Sequence, residues 1–169
     1  MKSTQPKTRA RSVRPDTASV IDAALGYGRR GLSVLAVDAE KKPMPRKWKE
    51  RQSVRADGPT IRSWYTDARA VGVGILLGEV SGGLVVRDFD APGSYERWAA
   101  AHPDFAALLP TVKTGRGHHV YARFRANGLG CKTRTYPDGE LRGNGAYVVA
   151  PPSPHLTGVV YQWMVPMPN

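Results

Sequence analysis

Cysteine occurs once in the 169 residues, at Cys131. A single thiol cannot close an internal disulfide or build a multi-cysteine zinc site, so no zinc centre is expected and a reducing, cytoplasmic setting is the simplest fit. Long apolar runs are missing as well. None approaches the length needed to cross a bilayer, and no apolar stretch of the kind a secretory leader needs follows the basic opening, so no membrane partner is expected. Acidic side chains are scarce, 14 against 25 lysines and arginines, for a net charge of +11. That excess favours polyanionic partners, nucleic acid above all, whose binding releases counterions; a merely soluble basic protein has the same balance. No internal repeat or low-complexity tract interrupts the chain.

What is present suits one folded domain. An apolar fraction of 41% over this length can bury a sizeable core. Residues 1–15 hold Lys2, Lys7, Arg9, Arg11 and Arg14 with almost nothing apolar. They read as a disordered basic tail, either a loose contact for phosphates or a solvated leader. Residues 16–169 read as a single domain. Asp16 or Thr17 can cap a helix in which Val20, Ile21, Ala24, Leu25 and Tyr27 fall at amphipathic spacing. Leu32–Val37 follows as a strand. The polar loop Asp38–Gly58 sets Lys41, Lys42, Arg46 and Lys47 around Trp48, which fits either a phosphate or base contact or a solvated loop pinned by a buried indole. Pro59 opens a short helix with Ile61, Trp64 and Tyr65 inward. Val71–Leu77 reads as a strand, and the turn Gly78–Gly83 is expected to pair it in a hairpin with the next apolar run.

That run, Leu84-Val85-Val86-Arg87-Asp88-Phe89-Asp90, ends in two aspartates at i, i+2, which a strand places on one side of its sheet. Adjacent carboxylates raise each other's pKa unless a cation compensates them, and Mg²⁺ takes such oxygens together with substrate phosphates. A metal site for nucleotide chemistry is one reading. An ordinary turn of Asp, Pro and Gly after a strand is the other. A helix from Ser94 carrying Tyr95, Trp98 and Ala99 is broken at Pro103, and Phe105, Leu108 and Leu109 continue as a second short helix.

Thr111–Phe124 reads as a glycine turn feeding a strand. His119, Tyr121 and Arg123 share one polar face; Val120, Ala122 and Phe124 share the other, expected to be the core side. The glycine turn lets backbone N–H groups approach phosphate oxygens and His119 can add a donor, although a lone histidine also serves as a satisfied structural residue. Gly128–Gly139 reads as a basic surface loop or hairpin. Glu140 and Arg142 stand on one face of a short strand, Ala146–Ala150 is a buried strand stopped by Pro151-Pro152-Ser153, and Val159–Met164 is the last strand.

The ordered set of Asp-x-Asp strand end, Gly-x-His strand and a later acid resembles the archaeo-eukaryotic primase superfamily. Specifically, it is similar to the bifunctional DNA primase/polymerase (prim-pol) domain of plasmid and phage replication proteins, from about Ala23 to Trp163. Lys42-Pro43 with Trp48, Ile61 with Trp64, and the Gly78–Gly82 turn support the likeness. The stretch Arg142-Gly143-Asn144-Gly145-Ala146-Tyr147-Val148-Val149-Ala150-Pro151-Pro152-Ser153, with Gly158, Tyr161 and Trp163 behind it, is its most specific part. The resemblance implies an α/β (α+β) primase–polymerase fold, a small N-terminal α/β unit plus an RRM-like module, with the active site in the cleft between them.

It further implies two Mg²⁺ or Mn²⁺ ions on Asp88, Asp90 and Glu140, with His119 as the catalytic histidine contacting the incoming nucleotide and Gly117 as the small residue of that motif. Arg142 is the expected triphosphate contact, or else an ion pair that orients Glu140; Lys113 and Arg116 are further nucleotide-binding candidates. Two positions depart from the family pattern. Glutamate stands at 140 where aspartate is usual, with Asp138 as the alternative third acid, and the glycine turn before His119 is one residue shorter. The activity implied is that of a DNA primase and DNA polymerase, a template-dependent nucleotidyltransferase serving plasmid or phage DNA replication. Its expected partners are single-stranded or primed DNA, dNTPs or NTPs, and a replicative helicase in trans or further along the chain. The competing readings are a metal-dependent nuclease and a non-catalytic nucleic-acid-binding module. A sugar-nucleotide transferase also uses Asp-x-Asp, but the Arg-Gly and Pro-Pro-Ser segments do not suggest one.

Overall fold

The computed structural model describes residues 16–124 and 131–168. The basic tail expected over 1–15 and the first residues of the 128–139 loop lie outside the described residues. Helix α1 (Thr17–Arg29) starts where the Asp16 carboxylate accepts the Ala18 N–H, and it buries Val20, Ala24, Leu25 and Tyr27. Its partner α2 (Gly58–Trp64) is capped by Asp57, whose Oδ1 accepts the Thr60 N–H at 2.9 Å, with Pro59 in its first turn. Behind these helices, β1 (Ser33–Val37), β2 (Gly72–Leu76) and β8 (Tyr147–Ala150) form a three-stranded antiparallel sheet with β2 in the centre. The third strand arrives from far along the chain, so the N-terminal unit is completed only by the segment that follows Arg142-Gly143.

The second sheet has six antiparallel strands. In spatial order they are β6 (Arg134–Tyr136), β7 (Gly139–Arg142), β3 (Leu84–Phe89), β5 (His118–Arg123), β4 (Thr111–Lys113) and β9 (Gln162–Val165). Helices α3 (Ser94–Ala101) and α4 (Pro103–Leu108) connect β3 to β4. The class is therefore mixed α/β, with four α-helices and two antiparallel sheets among the described residues. The larger core draws on both sheets: Val34, Leu35 and Ile75 from one side meet Val86, Val112 and Tyr121 from the other. A smaller cluster of Phe89, Tyr95 and Val120 lies under α3. No helix among the described residues is long and apolar enough to cross a membrane.

Two expectations are corrected. The hairpin between β2 and β3 does not form; the two strands belong to different sheets and share only an isolated bridge, Gly78 with Leu84. The cause lies in the turn. A 3₁₀ turn at Glu79–Ser81 buries Ser81, whose hydroxyl donates to the Leu76 carbonyl at 2.6 Å and accepts the Ser33 N–H at 2.9 Å. Gly82 and Gly83, both at positive φ, then carry the chain away from β2. The second correction concerns β5. Tyr121, placed on its polar face, is buried in the main core, whereas Phe124, placed on the core side, is 46% exposed. Both faces of β5 are covered, Val120 by the cluster under α3 and Tyr121 by the opposing sheet, and alternation alone cannot rank two covered faces.

Candidate active site

The register of the larger sheet builds the site. On β3, Asp88 stands directly opposite His119 of β5 on one side and Glu140 of β7 on the other. Directly paired residues point the same way, so His119, Asp88 and Glu140 form a row across three strands, with Asp90 one residue past the end of β3. Arg142 lies on that face as well, opposite Val86. Its Nε is 3.3 Å from Asp88 Oδ2 and its Nη2 is 3.0 Å from Glu140 Oε2. The Nε–H is not aligned on the carboxylate and has no hydrogen-bond partner among the described residues, so its link to Asp88 is a charge contact.

Burial sets the electrostatics. The Asp88 carboxyl is pushed up to about 6, first by desolvation and then by the charge of Asp90, with Arg142 opposing. His119 Nε2 lies 3.5 Å from Asp88 Oδ1. Desolvation, with the charges of Arg142 and Lys41, pulls its imidazole down to about 3, so the contact is that of a neutral ring and not an ion pair. Its Nδ1 is buried with no hydrogen-bond partner among the described residues. The orphan atom and the penalised carboxylate mark a site whose polar groups are left incomplete by the protein alone.

The remaining candidates divide. Asp138 pairs with Arg87 Nη2, and Arg87 lies over the rings of Phe89 and Tyr136, side chains that alternate to the other face from Asp88. Lys113 pairs in register with His118, and so faces away from His119. Arg116 is exposed at the tip of the glycine turn, and its charge is felt by Lys41 and Tyr161. In that turn the N–H groups of Arg116 and Gly117 donate to Thr114 Oγ1 at 3.3 and 2.9 Å, so both are engaged within the turn. A Cβ at Gly117 would collide with the Phe89 carbonyl oxygen, which makes this glycine the means by which the turn closes onto the end of β3.

A cavity of about 290 Å³ opens beside the row, lined by Lys41, Trp48, Asp88, His119, Arg142 and Tyr161 among others. Residues of both sheets meet in it, since Val148 and Val149 of β8 complete its wall. Sequence reasoning offered Lys41 only as one of several loop cations and left Tyr147 and Tyr161 out of the site. Trp48 is half-buried: it packs against the main core, edge-on to Tyr147 at 5.5 Å, and also lines the cavity. A wider groove of about 450 Å³, between β5 and Met167-Pro168, is lined by four leucines and two arginines among others and contains no acid.

Residues 24–169 match the family model of the bifunctional DNA primase/polymerase, N-terminal domain. The chain belongs to that family. No curated protein gives a match. Asp88, His119 and Glu140, three of the residues expected in the site, share one face of the larger sheet. The donor set suits a hard divalent cation, because it offers carboxylate oxygens and includes a buried acid that burial and a neighbouring negative charge penalise. Among the described residues, no group of three or more His, Cys, Asp or Glu side chains is placed to hold a metal ion by itself. Arg142 sits where it neutralises Asp88 and Glu140 together.

Proposed function

We propose that this prim-pol domain is a template-dependent nucleotidyltransferase that extends or primes DNA strands in plasmid or phage replication. The observation that carries the reading is the direct register of His119, Asp88 and Glu140 across three strands, with Arg142 bound to both acids. Asp88, Asp90 and Glu140 would hold Mg²⁺ or Mn²⁺, which supply charge stabilisation to the attacking 3′ oxygen and the departing pyrophosphate. The chain's own groups position the reactants. Arg142, once exchanged from the carboxylates, offers a forked donor to phosphate oxygens. His119, held neutral by burial, keeps a ring nitrogen for a hydrogen bond instead of a positive charge. Trp48 and Tyr147 give the cavity an aromatic wall that suits a base or sugar. The substrates are dNTPs or NTPs on a single-stranded or primed DNA template.

A metal-dependent nuclease would use the same carboxylates, and a pure binding module would need none of them. Labelled primer on template, with Mn²⁺ and all four dNTPs, separates the three. Lengthened primers that disappear in Asp88→Ala, with DNA binding retained, support nucleotidyl transfer. Shortened primers identify a nuclease. Binding without either change identifies a module.

A further inference from the structure

Three polar side chains from separate parts of the fold converge on the ring of Tyr161, which is itself 3% exposed. Lys41 Nζ stands 5.9 Å from the ring centre, the His155 ring is 5.8 Å away and the His119 ring 5.9 Å. His119 belongs to the acid row. Lys41, in the turn after β1, and His155, in the loop after β8, do not.

Both are held in place by their own surroundings. Lys41 has φ 69°, the one non-glycine residue at positive φ among the described residues. A lysine in the left-handed region is strained and persists only where its surroundings enforce it. Here Asp38 Oδ1 accepts the N–H groups of Glu40 and Lys42, each at 2.9 Å, and the Lys41 carbonyl accepts the Tyr147 hydroxyl at 2.8 Å. At His155, Nδ1 accepts the Thr157 N–H at 3.1 Å, which places the ring proton on Nε2 as a donor. The imidazole lies over Gly115, where an added Cβ would collide with the ring, nearest Nδ1. His155 is thereby locked against the turn that carries Arg116.

Neither Lys41 nor Arg116 has an acid within ion-pair distance among the described residues. Their charges add at His155, where burial and then both cations disfavour a further positive charge. Two unpaired cations and a neutral N–H donor, beside a carboxylate pair, suit an anion with several oxygens that also carries a divalent cation. We propose that Lys41, Arg116 and His155 form the wall that takes the β- and γ-phosphates of the incoming nucleotide and holds pyrophosphate after transfer. The proposal rests on the nucleotidyl-transfer reading and assigns the far end of its substrate.

The test compares wild type with Lys41→Asn, Arg116→Gln and His155→Phe. Asparagine tolerates the left-handed backbone, phenylalanine keeps a ring over Gly115, and residue 116 is exposed, so loss at that position is not a folding failure. Equilibrium binding of a non-hydrolysable dNTP and of the matching dNMP is measured with Mn²⁺, and inhibition of primer extension is measured with pyrophosphate. Each variant is expected to bind the triphosphate at least tenfold more weakly, to keep its monophosphate affinity within about twofold, and to need about fivefold more pyrophosphate for inhibition. Equal losses for both nucleotides, or no loss in Arg116→Gln, overturn the wall, while primer extension by the wild type keeps the nucleotidyl-transfer reading standing. A wild type that neither binds a triphosphate nor extends a primer overturns the functional reading and the wall together.

Discussion

Arg142 bridges Asp88 and Glu140, with its Nε 3.3 Å from the first carboxylate and its Nη2 3.0 Å from the second. One guanidinium thus occupies the position where a metal ion and a triphosphate would both exert their charge. In Arg142→Gln the acids lose their resident cation, so Mn²⁺ added without nucleotide is expected to bind about tenfold more tightly, a change of about 1.4 kcal/mol. The same variant should show a raised KM for dNTP. Calorimetric titration with Mn²⁺ checks the first effect. Weaker Mn²⁺ binding would instead make Arg142 a support that orients the acids.

The raised pKa of Asp88 carries a cost in stability with a definite sign. Its carboxyl titrates at about 6 in the fold against 3.8 in the free chain, so the stability it contributes is fully present below 3.8 and is lost as pH rises through about 6. Above that range the folded, metal-free protein carries a penalty of roughly 2–3 kcal/mol. Asp88→Asn is therefore expected to melt several degrees higher than wild type at pH 8 in chelator, with the gap shrinking toward pH 4. A gap that stays constant with pH would contradict the burial account of this acid.

Asp138 and Glu140 lie two residues apart and are expected to behave differently. Glu140→Gln should lower the rate of nucleotide incorporation by about 100-fold or more, because its carboxylate shares the face of Asp88. Asp138→Asn removes a partner of Arg87 instead, so it should lower the melting temperature and leave incorporation within a few-fold. Steady-state extension assays on the two variants decide which carboxylate is the third acid.

Gly117→Ala tests the turn. A Cβ there would run into the Phe89 carbonyl, so the turn must shift off the end of β3 at a cost of about 1–3 kcal/mol. Thermal denaturation should show the loss, and activity should fall with it because the displaced turn borders both Asp90 and His119. Unchanged stability would mean that the turn is not packed this way.

The acids and their neighbours were legible because strand alternation acts over two residues. Glu140 and Arg142 could be placed on a common face from their spacing alone, and Asp90 follows one residue past the end of the strand that carries Asp88. Helix starts at Asp16 and Pro59 were legible for the same local reason, since caps are made by adjacent residues. Contacts set by long-range pairing were not. Lys41, Tyr147 and Tyr161 reach the cavity only because β8 pairs with β2 while β9 pairs with β4, and no periodicity encodes that. The β2–β3 hairpin failed because a buried serine, Ser81, redirected a turn that its glycines made look ordinary. The side of the sheet that Lys113 faces is likewise set by register, which places it opposite His118.

The most direct test supplies a labelled primer on a DNA template with Mn²⁺ and one dNTP at a time, varying the first unpaired template base. The primer is expected to grow by the nucleotide complementary to that base, and growth to vanish in Asp88→Asn and in Glu140→Gln. Growth that ignores the template base, shortening of the primer, or undiminished growth in either variant would contradict the proposed function.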